Sequence, residues 1–124
     1  MNVVDSSGWI EYFLDGPNAG FFQAAISDTS SLLIPTISLC EVIRYITRAT
    51  SRDAAQEAAA QMQRGMVVDL DAMTAHLAAR MGLKHNLPLA DSIVYATARS
   101  RGAKLYTQDA DFEKLPGVKY IRKK

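Results

Sequence analysis

The sequence predicts an α/β fold of three layers, with helices on both faces of a central, mainly parallel sheet of about five short strands. Three observations carry this expectation. Short apolar runs recur along the chain, and the stretches between them place apolar residues at helical spacing. That alternation is the pattern of a parallel sheet with crossover helices. The length, 124 residues, leaves room for one core of ordinary size, so residues 1–124 are expected to form a single domain.

Asn2-Val3-Val4-Asp5 reads as the first strand, an apolar run between polar residues. Ser6 to Leu14 sets Trp9, Ile10, Phe13 and Leu14 at helical spacing and stops at Gly16-Pro17. A second helix, roughly Asn18 to Ser27, carries Phe21, Phe22, Ala25 and Ile26, and Ser31 to Pro35 follows as a strand. Residues 37–50 repeat Leu39, Val42, Ile43 and Ile46 on one helical side. The alanine-rich stretch 52–64 predicts another helix, stopped near Gly65. Met66 to Leu70 is a third strand, after which Asp71 caps a helix running to about His85, with Met73, Leu77, Ala78 and Met81 expected inward. Pro88 suits the first turn of a helix over 88–101, which Gly102 ends. Lys104 to Thr107 and Val118 to Ile121 complete the strands.

Composition excludes several classes. No apolar run approaches the ~20 residues of a membrane span, and the first residues lack the basic and apolar regions of a signal peptide. The single cysteine, Cys40, permits no intrachain disulfide, so a reducing cytoplasm is the expected setting. Cys40 itself is read as a small buried hydrophobe rather than a nucleophile. His76 and His85 lack metal-ligand spacing, and no glycine-rich phosphate loop is present. The net charge is only +1, but it is unevenly spread: residues 1–98 hold six Lys/Arg against ten Asp/Glu, and residues 99–124 hold eight against three. A basic C-terminal quarter is compatible with approach to a phosphate backbone, and equally with a solvated tail.

Ligands of parallel α/β sheets bind outside the carboxyl ends of the strands. Asp5 closes the first strand, and Asp109 stands two residues beyond Thr107, the end of the fourth. Asp91 falls on the inward stripe of helix 88–101, beside Leu87, Val94, Tyr95 and Ala98, where a carboxylate needs a partner. Glu41 flanks the apolar stripe of helix 37–50. Taken singly, each has an innocent reading: Asp5 and Asp109 as helix caps, Glu41 in a capping box with Ser38, Asp91 at a helix dipole. Converging on one edge, they would repel one another unless a cation sat among them. Mg²⁺, or Mn²⁺, suits such a set of hard oxygen donors. Arg44, three residues after Glu41, shares its helical face and could pair with the acids or touch a phosphate.

The segments holding these acids are Val3-Val4-Asp5-Ser6-Ser7, Ile37-Ser38-Leu39-Cys40-Glu41-Val42, Leu87-Pro88-Leu89-Ala90-Asp91-Ser92-Ile93-Val94-Tyr95-Ala96-Thr97-Ala98 and Leu105-Tyr106-Thr107-Gln108-Asp109-Ala110-Asp111-Phe112. In order and spacing together they resemble the PIN-domain ribonucleases, in particular the VapC-type toxins of bacterial toxin–antitoxin pairs. The resemblance implies a PIN-like α/β/α fold and metal-dependent hydrolysis of RNA. It puts Asp5, Glu41, Asp91 and Asp109 in the metal-binding positions, with Asp111 as an auxiliary acid. Ser6 and Thr107 match hydroxyl positions that could hydrogen-bond the acids or a water. The resemblance further implies a cognate antitoxin, covering the aromatic-rich surface of the first two helices, and a homodimer through the central helices. Two other readings remain open. One is a catalytically inactive acidic binding module of the same fold. The other is a phosphoaspartate-type phosphatase, which lacks its lysine partner here because Lys104 begins a strand.

Overall fold

The computed structural model describes residues 1–124. Its sheet has five strands: β1 (Asn2–Val4), β2 (Leu32–Pro35), β3 (Met66–Val68), β4 (Lys104–Thr107) and β5 (Val118–Tyr120). Their order across the sheet is β3-β2-β1-β4-β5 and every pairing is parallel. The chain winds outward from β1 in one direction through β2 and β3, then crosses back to β4 on its other side. The strand order therefore reverses between β1 and β4, and at such a point the loops leaving adjacent strands part to opposite faces and open a crevice.

Helices α1 (Ser6–Phe13), α2 (Ala19–Ser27), α3 (Thr36–Ala49) and α4 (Arg52–Met62) accompany the first half of the chain, and α5 (Ala72–His85) and α6 (Leu89–Ser100) the second. The pleat of β1 divides the core between them. Val4 packs with Trp9, Phe22, Ile34, Val42 and Met62 on one face. Val3, one residue earlier, packs with Leu33, Val94, Tyr95, Leu105 and Phe112 on the other. Trp9 and Phe22 are wholly buried, so the aromatic density of the first two helices is mostly core. Burying each such ring contributes a few kcal/mol, on the order of 25 cal/mol per Å² of apolar surface.

Several local expectations need correction. Helix α3 begins at Thr36, after Pro35, so Ser38 lies inside its first turn and cannot cap it. Ser38 turns inward instead, in line with Val42 and Ile46 at four-residue intervals. Cys40, two residues on, points the opposite way and is exposed rather than buried. Ile43 likewise lies outside this narrow buried stripe, and Met73 is 81 % exposed because Ala78 and Gly82 form the buried line of α5. Gly82 permits that line: a Cβ there would stand 2.3 Å from Ser92 Oγ, so α5 and α6 approach each other through a glycine. Helix α5 ends at Asn86, which takes the left-handed conformation (φ 55°) that asparagine tolerates better than most residues. No helix is long and apolar enough to cross a membrane.

Candidate functional site

Asp5 follows the last residue of β1 and caps α1. Its backbone N–H still donates to Tyr106 O (3.2 Å), extending the β1–β4 ladder to the edge of the crevice. The side chain is 4 % exposed and fully engaged. Oδ1 accepts from Gly8 N (3.0 Å) and Ser7 Oγ (2.8 Å), and Oδ2 accepts from Thr107 Oγ (2.6 Å). Burial nevertheless pushes this carboxyl up to about 6, against the opposing pull of those three donors. Thr107 in turn accepts from Asp109 N (2.9 Å), so one hydroxyl ties the ends of β1 and β4 together.

Asp109 caps a 3₁₀ turn, Ala110–Phe112, by accepting from Asp111 N (2.9 Å). Phe112 plugs into the core and folds the turn back toward α6. Asp91 sits in the first turn of α6, half-buried. Carboxylate oxygens of Asp91, Asp109 and Asp111 lie within 4.8 Å of one another. Glu41 approaches from the first half of α3 and accepts a hydrogen bond from Ser6 Oγ, which replaces the expected capping box with Ser38.

These acids meet electrically at Asp91. Burial, and then the charges of Asp109, Asp5, Glu41 and Asp111, raise its carboxyl to about 7. The groups acting on it most strongly include four acids and no base. Arg44 is exposed on α3 and is not among them. The structure thus brings Asp5, Glu41, Asp91 and Asp109 into one neighbourhood, and exposed Asp111 lies beside Asp91 and Asp109. Ser6 and Thr107 both orient acids. A crowded set of oxygen donors, with no base among the groups that act most strongly on Asp91, fits a hard divalent cation, which takes carboxylate ligands and removes the repulsion.

Sequence reasoning overlooked three polar residues beside the cluster. Ser7 holds Asp5. Asn18 and Gln108 are buried, and Asn18 Nδ2 donates to Gln108 Oε1 (2.9 Å) and to Arg122 O (3.1 Å). Ser7 has a local signal, a hydroxyl two residues after an N-capping aspartate; the Asn18–Gln108 pair spans 90 positions and has none. His76 is exposed and His85 packs edge-on against Tyr95, so neither histidine joins the site.

Among solved structures, a chain of a toxin–antitoxin complex from Klebsiella pneumoniae is similar over 96 % of each chain, with a TM-score of 0.80 and 22 % identity. VapC20 of Mycobacterium tuberculosis, a sarcin–ricin-loop-cleaving toxin, is similar over 99 % of this chain and 100 % of its own, with a TM-score of 0.81 and 22 % identity. A chain of the DNA-bound VapBC of Salmonella typhimurium is similar over 98 % of each, with a TM-score of 0.72 and 20 % identity. No curated protein sequence matches the chain. At such identities these likenesses speak for the fold. Residues 3–118, which contain every acid of the cluster, match the PIN domain. With that match, the all-parallel sheet and the acids at its switch point, the chain belongs to the PIN domain family.

Proposed function

We propose that the chain is a Mg²⁺-dependent endoribonuclease, a VapC-type toxin that a cognate antitoxin neutralises. The observation that carries this reading is the convergence of four acids on Asp91, with no base among the groups acting most strongly on it, at the sheet's switch point. Asp5, Glu41, Asp91 and Asp109 are the residues that would hold the cation, and Asp111 stands close enough to join them. When bound, Mg²⁺ or Mn²⁺ supplies charge neutralisation at a phosphodiester and a water of lowered pKa. The chain's own contribution is preorganisation. Thr107, Ser7 and Gly8 lock Asp5, Ser6 locks Glu41, and the start of α6 presents Asp91 from a rigid helix.

The test is direct. Total cellular RNA incubated with purified protein and Mg²⁺ should acquire new 5′-phosphate ends, and EDTA should prevent them. RNA left intact across divalent metals and pH would sink the nuclease reading and favour a binding module of the same fold.

Two partners belong to the reading. A cleft of about 210 Å³ between α1, α3 and α4, lined by Phe13, Leu14, Ile46, Ala54 and Ala58 among others, suits an apolar helix face of an antitoxin. The Klebsiella pneumoniae neighbour comes from a toxin–antitoxin complex. A second copy of the chain is the natural cover for the α5–α6 edge, where Leu83 is 88 % and Leu89 80 % exposed around a shared hollow. Light scattering should therefore report a dimer for the native protein and a monomer for Leu83→Glu/Leu89→Glu. An unchanged mass for the double variant would place the contact elsewhere.

A further inference from the structure

Beside the acidic cluster lies a cleft of about 410 Å³ that metal binding does not account for. Ser7 and Asp109 form the wall it shares with the cluster, and Tyr120, Arg122 and Lys123 line it together with Gln108. The strand register explains why Tyr120 is there. Tyr120 pairs with Thr107 across β4 and β5, and partners in a parallel sheet project to the same face. Thr107 uses that face to reach Asp5. The ring therefore stands on the side of the sheet that carries the acids, half-buried at its edge.

The backbone that leads into the basic residues is held as far as Arg122, although β5 ends before it. Ile121 N donates to Thr107 O (3.0 Å), and Asn18 Nδ2 donates to Arg122 O (3.1 Å). Asn18 is itself fixed, its N–H donating to Glu11 Oε2 (2.7 Å) and its amide to the buried Gln108. Polar bonds centred on the buried Asn18 and Gln108 thus tie the basic end of the chain to the mouth of an acidic crevice. A polyanion entering that crevice meets a field of the wrong sign, and cationic side chains set along its path offset it. An aromatic face beside two cations is the pairing that single-stranded nucleic acids use, a base on the ring and phosphates on the charges.

We propose that this cleft is a nucleotide subsite, in which Tyr120 stacks on a base of the substrate strand and Arg122 and Lys123 take its phosphates. The assignment rests on the nuclease reading and adds to it where the strand runs. It is tested by fluorescence anisotropy with a short, 5′-fluorescein-labelled single-stranded RNA of mixed sequence, in an Asp91→Asn background so that the probe is not consumed. Tyr120→Leu should weaken binding about 5- to 100-fold, and Tyr120→Phe, which keeps the ring, should restore it. Arg122→Gln/Lys123→Gln should make the plot of log affinity against log salt shallower by about 1.4, near 0.7 for each phosphate no longer neutralised. A merely structural role for these residues would not move that slope. If native protein cleaves cellular RNA while the single strand fails to bind, or binds all variants alike with one salt slope, the subsite is overturned and the nuclease reading stands. If native protein neither cleaves nor binds RNA, both fall together.

Discussion

Asp91→Asn is expected to lower metal-dependent RNA cleavage by at least about 10³-fold while making the metal-free protein more stable. The two effects share one cause. Asp91 is the point on which the charges of Asp109, Asp5, Glu41 and Asp111 bear, and burial adds to the cost of its own charge. A cation turns that repulsion into binding energy, so losing this carboxylate removes the residue at the centre of the cluster. A loss of about 10³ corresponds to about 4 kcal/mol of transition-state stabilisation, a common size for removing a group that acts directly at the reacting centre. Without metal the balance reverses. Asparagine keeps the shape and hydrogen-bonding capacity of the side chain and sheds the charge. Because Asp91 is only half-buried, the gain is on the order of 1 kcal/mol once solvent screening is allowed for. Cleavage assays and thermal melts in EDTA read the two effects separately. A variant that is inactive and less stable than native would show a folding residue rather than a ligand, and an active variant would remove Asp91 from the site.

The acids differ in how far the sequence foretold them, and the differences have physical causes. Asp5 and Asp109 were legible because they stand at strand ends, and a parallel sheet puts strand ends on one edge. Asp91 was legible as a charge on an apolar stripe. Glu41 was harder. Ser38 and Glu41 have the spacing of a capping box, but spacing does not say where a helix starts, and α3 begins before Ser38. The hydroxyl that Glu41 accepts from comes from Ser6, which lies 35 positions away in sequence. The place of Asp111 depends on a three-residue turn that ends at Phe112, and such turns leave little periodic signal. Strands, helices and their order followed from apolar runs and breakers. Met73 and Cys40 were misplaced because the buried stripes of α5 and α3 are narrower than a count of apolar residues suggests.

Raising the pH should destabilise the metal-free protein, and divalent metal should cancel that trend. Asp5 and Asp91 rise from an ordinary value of 3.8 to about 6 and about 7, so between roughly pH 4 and 7 the folded chain holds more protons than the unfolded one. Unfolding then releases protons, and stability falls as pH climbs through that window, opposite to the usual behaviour of carboxylates paired with bases. Asp5, the deeply buried member, contributes about 3 kcal/mol at about 1.36 kcal/mol per pKa unit, and half-exposed Asp91 adds less than its shift suggests. For a chain of this size that amounts to a fall in Tm on the order of 10 °C between about pH 4 and 7 in EDTA. Bound Mg²⁺ or Mn²⁺ favours the deprotonated acids, so its stabilisation should grow with pH and narrow the gap. Thr107→Val sharpens the test. Removing the hydroxyl that Oδ2 of Asp5 accepts from withdraws a hydrogen bond that favours the charged form, so the EDTA slope with pH should steepen. A Tm that rises with pH in EDTA would mean that Asp5 and Asp91 are compensated within the chain, and the case for a cation among the acids would lose its electrostatic ground.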